Sequence, residues 1–363
     1  MKSSIGNKVR LTVFGESHGP AIGCVLEGLP AGHKIDFDLV AQQMSRRAPG
    51  KDKTATARRE EDLPEILSGV LDGVTTGAPL AILIRNNDTR SHSYDDLKIH
   101  PRPNHSDYAA YVKYDGYNDV RGGGHFSARL TAPIVAAGGI CRSILKEHGI
   151  TVGGHISNIG KVCDTPFDPV NLSAEELFDL SSKLFALNSP EKEEGMRAEV
   201  ESARMEQDSV GGSVELAAVG LPAGVGNPMF FGVENVLATI LYGVPAVKSV
   251  SFGAGEDFSR MRGSEANDKM YMDVGGEVKC LTNNCGGITG GITNGMPLVV
   301  KVALKPTPSI SQPQQTVDLE KRENATLCIE GRHDPCIVPR ALPALEAALS
   351  IGLLDLMRED GKI

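Results

Sequence analysis

Three histidines in this chain sit in turns crowded with charge. His18 follows Glu16-Ser17 in a glycine-flanked turn. His105 lies in Arg102-Pro103-Asn104-His105-Ser106-Asp107, and His333 in Gly331-Arg332-His333-Asp334-Pro335. Imidazole gives or takes a proton near neutral pH, so these settings suit acid–base work. Arginines gather in similar surroundings. Arg46-Arg47, Arg58-Arg59, Arg102, Arg121, Arg129, Arg332 and Arg340 stand next to Gly, Pro or His rather than along a helix face. A guanidinium fork matches carboxylate or phosphate geometry with two hydrogen bonds at once. Singly, each arginine reads as a solvated surface group and each histidine as a structural one. Together they predict a pocket for a small polyanion that needs proton transfer. No H-E-x-x-H or paired-His spacing occurs, so the sequence predicts no metal site.

Two glycine clusters could cradle an anion. Arg121-Gly122-Gly123-Gly124-His125-Phe126-Ser127-Ala128-Arg129 leads into an apolar run at Leu130. Glycines before a helix expose backbone N–H groups. Gly286-Gly287-Ile288-Thr289-Gly290-Gly291 precedes a strand and then Lys305-Pro306-Thr307-Pro308-Ser309. Neither cluster fits a dinucleotide fingerprint or a Walker A loop. Each serves as a turn as readily as a phosphate cradle.

The elements that must position these residues repeat. Glu16-Ser17-His18-Gly19 through Gly28-Leu29-Pro30-Ala31-Gly32 is echoed by Asp208-Ser209-Val210-Gly211 through Gly220-Leu221-Pro222-Ala223-Gly224, 192 residues on. Gly73-Val74-Thr75-Thr76-Gly77-Ala78-Pro79-Leu80 is echoed by Gly291-Ile292-Thr293-Asn294-Gly295-Met296-Pro297-Leu298, 218 residues on. Gly/Pro turns recur by chance, but two collinear echoes point to one unit used twice. The expected division of the 363 residues is a single domain with half-repeats at about 5–150 and 207–357 and an insertion at about 155–206. Only the first copy carries the histidine; Val210 stands in the place of His18.

Alternation predicts strands over Lys8 to Phe14, Ala21 to Leu26, Pro79 to Ile84, Val247 to Phe252 and Pro297 to Leu304. Apolar periodicity predicts helices over Asp36 to Arg47, Leu130 to His148, Val233 to Tyr242 and Pro339 to Met357. Ser173-Ala174-Glu175-Glu176 is a capping box before a helix expected to reach Asn188, and another helix is expected over Glu191 to Glu206. Gly50 to Glu61 and Asn86 to Asp119 read as loops, the second expected to order on ligand binding. Alternating strands beside tight turns predict an α+β fold with antiparallel sheets packed on helices.

Composition narrows the partners. Hydrophobic residues are 40% and charged residues 23%, ordinary for a globular protein. Aromatics are 5% with no tryptophan, and the formal charge is −9. Both argue against nucleic acid, and the charge argues against an anionic membrane. Seven cysteines without C-x-x-C argue against a disulfide framework or a zinc site. The start has no apolar signal segment, and Ala341 to Met357 is interrupted by Glu346 and Asp355. A cytoplasmic address is expected.

Gly15-Glu16-Ser17-His18-Gly19, Arg46-Arg47-Ala48-Pro49-Gly50, Arg121-Gly122-Gly123-Gly124, Ser127-Ala128-Arg129 and Gly331-Arg332-His333-Asp334-Pro335-Cys336, in this order, resemble the motifs of the chorismate synthase family. The resemblance runs from about residue 5 to 357. Single motifs are weakly specific; the ordered set is highly specific. It implies a lyase that turns 5-enolpyruvylshikimate 3-phosphate into chorismate and phosphate by 1,4-anti elimination. Reduced FMN is implied as a cofactor without net redox change, supplied by a separate flavin reductase or other electron source. The implied fold is a helical layer between two antiparallel sheets, and the implied assembly a homotetramer.

The implied catalytic residues are His18, His105, Asp334, Ser17 and Ser127. His18 would protonate the flavin and His105 the leaving phosphate. Asp334 would assist proton removal, and the serines would relay or orient. Arg47, Arg102, Arg129 and Arg332 would grip the substrate. The implied flavin contacts are Arg47, Lys53, His125, Phe126, Ser127, Pro245, Ala246, Gly290, Lys305, Pro306, Thr307, Pro308, Ser309 and Arg332. The chain departs from the family where His125-Phe126 replaces Arg-Ser, Lys53 replaces a frequent Arg, and Pro245-Ala246 replaces Asn-Ala. Two other classes compete: a non-catalytic binder of phosphorylated metabolites, and an FMN oxidoreductase that would turn over NADPH without a phosphoester.

Overall fold

A computed structural model describes residues 3–48, 50, 62–86, 96–329 and 334–363. Two five-stranded antiparallel sheets enclose a layer of helices, as the α+β expectation requires. The first sheet has the order β1 (Ser4–Ile5), β2 (Arg10–Gly15), β3 (Ala21–Glu27), β7 (Leu80–Arg85), β4 (Glu65–Ser68). The second has the order β11 (Val247–Phe252), β16 (Leu298–Leu304), β10 (Gly212–Val219), β8 (Thr151–Ile159), β9 (Val162–Cys163). Alternation explains the first sheet's inner face: Ile22, Cys24 and Leu26 of β3 and Leu80, Ile82 and Ile84 of β7 are buried, all on one side.

The layer holds α1 (Phe37–Arg47), α3 (Thr131–Glu147), α6 (Val233–Tyr242) and α8 (Val338–Glu359). Helix α3 lies on β3 and β7, α8 lies on β8 and β10, and the two pack on each other. Their backbones approach closely at Gly138, where a methyl group would come within 2.3 Å of the Ala347 side chain. One charge cluster is buried in this apolar layer. Glu346 of α8 accepts from Arg46 of α1 at 2.5 Å and from Arg142 of α3 at 3.2 Å. The pairing lets ions sit where unpaired charge would be very costly.

The two sequence echoes are the two sides of one clasp, built twice. Thr75 Oγ1 donates to Pro30 O at 2.7 Å and accepts from His33 N at 3.0 Å, while Gly32 N donates to Thr75 O at 2.8 Å. Thr293 Oγ1 donates to Pro222 O at 2.6 Å and accepts from Val225 N at 2.9 Å, while Gly224 N donates to Thr293 O at 2.8 Å. These threonines lie on the matching ribbons β5/β6 (Val70–Leu71, Val74–Thr75) and β14/β15 (Ile288–Thr289, Ile292–Thr293). Strands β2-β3-β7-β4 match β8-β10-β16-β11 in order, so the strand order repeats along with the sequence echoes. Strand β8 ends at Ile159, inside the range expected for an insertion. Between it and β10 come β9, α4 (Ala174–Leu180) and α5 (Glu193–Met205).

Two local expectations change. The capping box at Ser173 is present, but its helix stops at Leu180, well short of Asn188. Ser181 and Ser182 turn their hydroxyls back onto Phe178 O and Asp179 O at 2.8 and 2.6 Å. Serines that bond their own backbone compete with further helical turns. The Asn86 to Asp119 loop contains α2 (Asp107–Lys113), and residues 87–95 lie outside the described residues. The remaining elements are the turn α7 (Gly263–Ala266) and the hairpins β12/β13 (Met270–Met272, Val278–Cys280) and β17/β18 (Gln314–Asp318, Glu323–Leu327).

Candidate active site

A cavity of about 1170 Å³ opens at the end of the helical layer, where the glycine-rich 121–130 segment faces residues 242–248, 305–309 and 334–340. Among the described residues, seven Lys or Arg side chains line it, including Arg47, Arg102 and Arg129, against one carboxylate, that of Asp334. Leu130, Ile134, Ile240 and Val244 add an apolar wall. A flat apolar ring system and a polyanion are both accommodated by such a surface.

The glycine loop lies over His18. Gly122, Gly123 and Gly124 all have positive φ, at 59°, 85° and 53°. A side chain at 122 would begin 2.2 Å from the His18 ring and 2.8 Å from Ser17 Oγ. Ser17 N donates to Gly124 O at 3.1 Å, which ties the turn to the loop. Gly122 lines the cavity; Ser17 and His18 are buried beneath it and do not line it themselves. Gly122, which has no side chain, separates both from the cavity.

His125 and Ser127 fix the far side of the loop. The His125 Nδ1–H donates to Gly15 O at 2.8 Å, so Nε2 accepts from Ser3 Oγ at 2.7 Å. The imidazole braces the loop against the first sheet, and Phe126 lines the cavity beside it. Ser127 caps the next turn, accepting from Arg129 N at 3.3 Å.

The arginines form two separate groups. Arg47 and Arg129 share the buried carboxylate of Asp62, one oxygen each. Arg47 Nε also donates to Thr131 Oγ1 at 3.2 Å, and Arg129 Nε to Asn86 Oδ1 at 3.1 Å. Arg102 is held by Asp107, with Nε to Oδ2 at 2.7 Å and Nη2 to Oδ1 at 2.8 Å. Its Nη1 donates to Ser309 Oγ at 3.2 Å. Arg102 is thus a scaffold for His105 more than a hand for substrate. His105 Nδ1 lies 2.5 Å from Asp107 Oδ1. Burial pushes His105 below its ordinary pKa, with Arg102 and Lys305 adding to the fall and Asp107 opposing it. Burial alone would raise Asp107, but its bonds to Arg102 and His105 hold it far below the usual carboxylate range.

The opposite wall comes from the second half. Lys305 N donates to Ala246 O at 3.0 Å, with Ala246 at φ 74°. Burial, and then Lys248 nearby, lowers the Lys305 ammonium below its ordinary value. Pro245, Ala246, Lys305, Thr307, Pro308 and Ser309 line the cavity. The Thr307 Oγ1 is buried with no hydrogen-bond partner among the described residues. A buried hydroxyl at a cavity wall beside lysines fits a phosphate- or imide-bearing cofactor such as the expected FMN. Pro306 and Gly290 do not line the cavity; Gly290 is exposed at the turn of the β14/β15 ribbon. Lys53 and Arg332, like His333, lie outside the described residues.

Asp334 lines the cavity and pairs with Arg340 at 2.5 Å. Arg340 Nε also donates to Arg47 O at 3.1 Å, so this pair ties the last helix to α1. The expected site residues do not include Asp62 or Asp107, and Arg340 stands only among the clustered arginines. Asp62 ends an acidic run that reads as solvated charge, and Asp107 opens a helix. The available signal was electrostatic: so many arginines in one pocket require buried acids to hold them apart.

Known proteins resemble this chain over most of its length. The family model described as chorismate synthase matches residues 9–357. Chorismate synthase of Thermococcus gammatolerans is 46% identical over 352 residues, covering 96% of each chain. That of Archaeoglobus fulgidus is 44% identical, covering 99% of this chain and 98% of the relative. A solved structure described as a crystal structure of chorismate synthase superposes with a TM-score of 0.76 at 29% identity. It covers 98% of this chain and 93% of that one.

Proposed function

The chain belongs to the chorismate synthase family and is a carbon–oxygen lyase, and from that premise we propose how its cavity works. The substrate is 5-enolpyruvylshikimate 3-phosphate. It loses phosphate and one ring proton by 1,4-anti elimination to give chorismate, with reduced FMN bound and no net redox change. The observation that carries this is that, among the described residues, seven Lys or Arg and a single carboxylate line a cavity of about 1170 Å³, large enough for cofactor and a substrate with three anionic groups together. Thr307, Lys305 and the 245–246 turn would hold FMN, with Phe126 and Ser127 beside them. Bound reduced flavin supplies the transient electron density that lets a weakly acidic C–H bond and a phosphate ester both break.

The chain's own groups do the rest. Arg47 and Arg129, spaced by Asp62, draw in the substrate's anions. Lys113 and Lys248 add positive charge to the cavity wall. His105, as the doubly protonated imidazolium, gives its Nε2 proton to the departing phosphate and keeps the one on Nδ1. Asp334, oriented by Arg340, takes up the proton that the ring releases. His18 holds a proton beneath Gly122, with Ser17 and Ser127 orienting neighbouring groups. Arg332 and Lys53 are further anion contacts that the family resemblance implies. A separate reductase or another electron source keeps the flavin reduced, and the cytoplasm is the proposed address, supported by seven free cysteines. A homotetramer is proposed on the exposed Met229, Phe230 and Phe231, at 78%, 81% and 68% accessibility, which a second copy would cover.

The test is anaerobic. Protein, 5-enolpyruvylshikimate 3-phosphate and chemically reduced FMN are mixed, and chorismate absorbance and free phosphate are followed together. One-to-one formation of both, absent with oxidised FMN, is expected. Binding of both ligands without product would overturn the lyase mechanism in favour of a phosphometabolite binder. Steady NADPH consumption without the phosphoester would point to an oxidoreductase.

A further inference from the structure

We propose that Asp107 is a positioning residue for this reaction: it fixes the ring proton of His105 on Nδ1 and leaves Nε2 turned toward the glycine loop and the cavity. The inference rests on His105 being the acid for the departing phosphate.

Acceptor counting decides the tautomer. Asp107 Oδ2 accepts from Arg102 N at 3.1 Å and from Arg102 Nε at 2.7 Å, and Oδ1 accepts from Arg102 Nη2 at 2.8 Å. A carboxylate that already receives three N–H groups from one arginine is an acceptor only. Its 2.5 Å approach to His105 Nδ1 therefore requires the proton on the ring. Arg102 Nη2 also points a donor at this nitrogen from 3.1 Å, but its shorter bond, 2.8 Å, goes to Asp107 Oδ1, and the 2.5 Å contact with the carboxylate outweighs it. Nε2 lies 3.5 Å from the place where a Cβ would stand on Gly123. The ring thus spans the carboxylate behind it and the cavity in front.

The charges around the ring give Asp107 its second effect. Arg102 and Asp107 face it from its own turn, and Lys305 faces it from the segment after β16. Ser106 Oγ sits 3.5 Å from Nδ1, and the glycine loop opposite carries no charge at Gly123. Two cations and burial disfavour the imidazolium, and Asp107 opposes them. Without it, a ring charged for catalysis would stand between two like charges.

Asparagine at 107 is the informative change. It offers one acceptor oxygen, which the N–H groups of Arg102 claim, so its NH2 meets Nδ1 and drives the ring proton to Nε2. The experiment uses the full chain labelled with 15N-histidine, with the His105 signal assigned by its loss in His105→Gln. The proton is expected on Nδ1 in the native chain and on Nε2 in Asp107→Asn. Turnover of Asp107→Asn is expected to fall about 10- to 100-fold. KM for the phosphoester should stay within about twofold. The alkaline limb of kcat/KM should move to lower pH, and Asp107→Glu should recover part of the loss. A native proton on Nε2 overturns the proposal, even if Asp107→Asn fails to fold. So does an Asn variant with unchanged tautomer and pH profile, since Asp107 would then serve only to start α2. Undiminished turnover of His105→Gln would instead remove His105 from the chemistry, a failure of the mechanism that the tautomer result does not share.

Discussion

Gly122 shows how one atom's absence organises the site. A methyl group there would meet the His18 ring at 2.2 Å, and the backbone at φ 59° disfavours any side chain. Gly122→Ala should therefore displace either the loop or His18. Turnover is expected to drop by at least about 10-fold, as a catalytic proton donor moves out of reach. A shifted His18 imidazole NMR signal would accompany it, with little change in thermal unfolding temperature. Native turnover in this variant would dissociate His18 from the chemistry. At this scale the sequence was informative about residue types and blind to pairing. His18, His105, Arg47, Arg129 and the Lys305 to Ser309 segment all drew attention by their settings, and all but His18 and Pro306 reach the cavity wall. Asp62 and Asp107 did not, because a carboxylate's partner is decided by chain segments far from it. Arg129 and Asp62 are 67 positions apart.

Elements were legible where apolar period and turn chemistry agreed. The strand over Val247–Phe252 and the helix over Val233–Tyr242 have the expected ends, and the capping box at Ser173 is formed. What sequence could not supply was tertiary affiliation, and β8 is the instructive case. Its His155 is fully buried between Asp164 and Glu215, at 2.7 and 3.0 Å. Asp164 also accepts from Asn188 N and Ser189 N, and Glu215 from Phe167 N, so this cluster pins the segment after β9 onto the second sheet. Burial lowers His155, but its two carboxylates outweigh that and raise it above its ordinary value. Burial raises Asp164 and Glu215, but bonds to His155 and to backbone N–H groups bring both below theirs. The raised histidine stabilises fully below its unfolded value, about 6.5, and loses that contribution as pH rises through the folded one. The lowered acids stabilise above their unfolded values, about 4, and lose that as pH falls. Protection of the Asn188 and Ser189 amides against hydrogen exchange, corrected for intrinsic rates, should peak between about pH 4.5 and 6.5 and decline above it. His155→Gln should flatten the decline. A flat profile in the native chain would rule out a charged His155.

The whole molecule is most economically understood through its repeated clasp. Thr75 and Thr293 are both buried, both donate to a proline carbonyl and both accept an N–H three residues beyond it. The equivalence survives although the chain around each copy has diverged: the first half keeps His18 in its turn, while Val210 of the second donates its N–H to Pro335 O beside Asp334. The clasp geometry therefore repeats while the residues beside it differ on either side of the cavity. That separation makes a quantitative demand. Thr75→Val removes a hydroxyl and leaves Pro30 O and His33 N unsatisfied; Thr293→Val does the same to Pro222 O and Val225 N. Each should cost about 1–3 kcal/mol in urea unfolding, because the orphaned groups are buried. The two costs should be alike, since donor, acceptor and distances match, and the double variant should show their sum if the clasps lie in different halves without shared partners. Turnover should be nearly unchanged, since neither threonine lines the cavity. Clearly unequal costs, or a double variant far from additive, would mean that the clasps are not interchangeable parts of one duplicated unit.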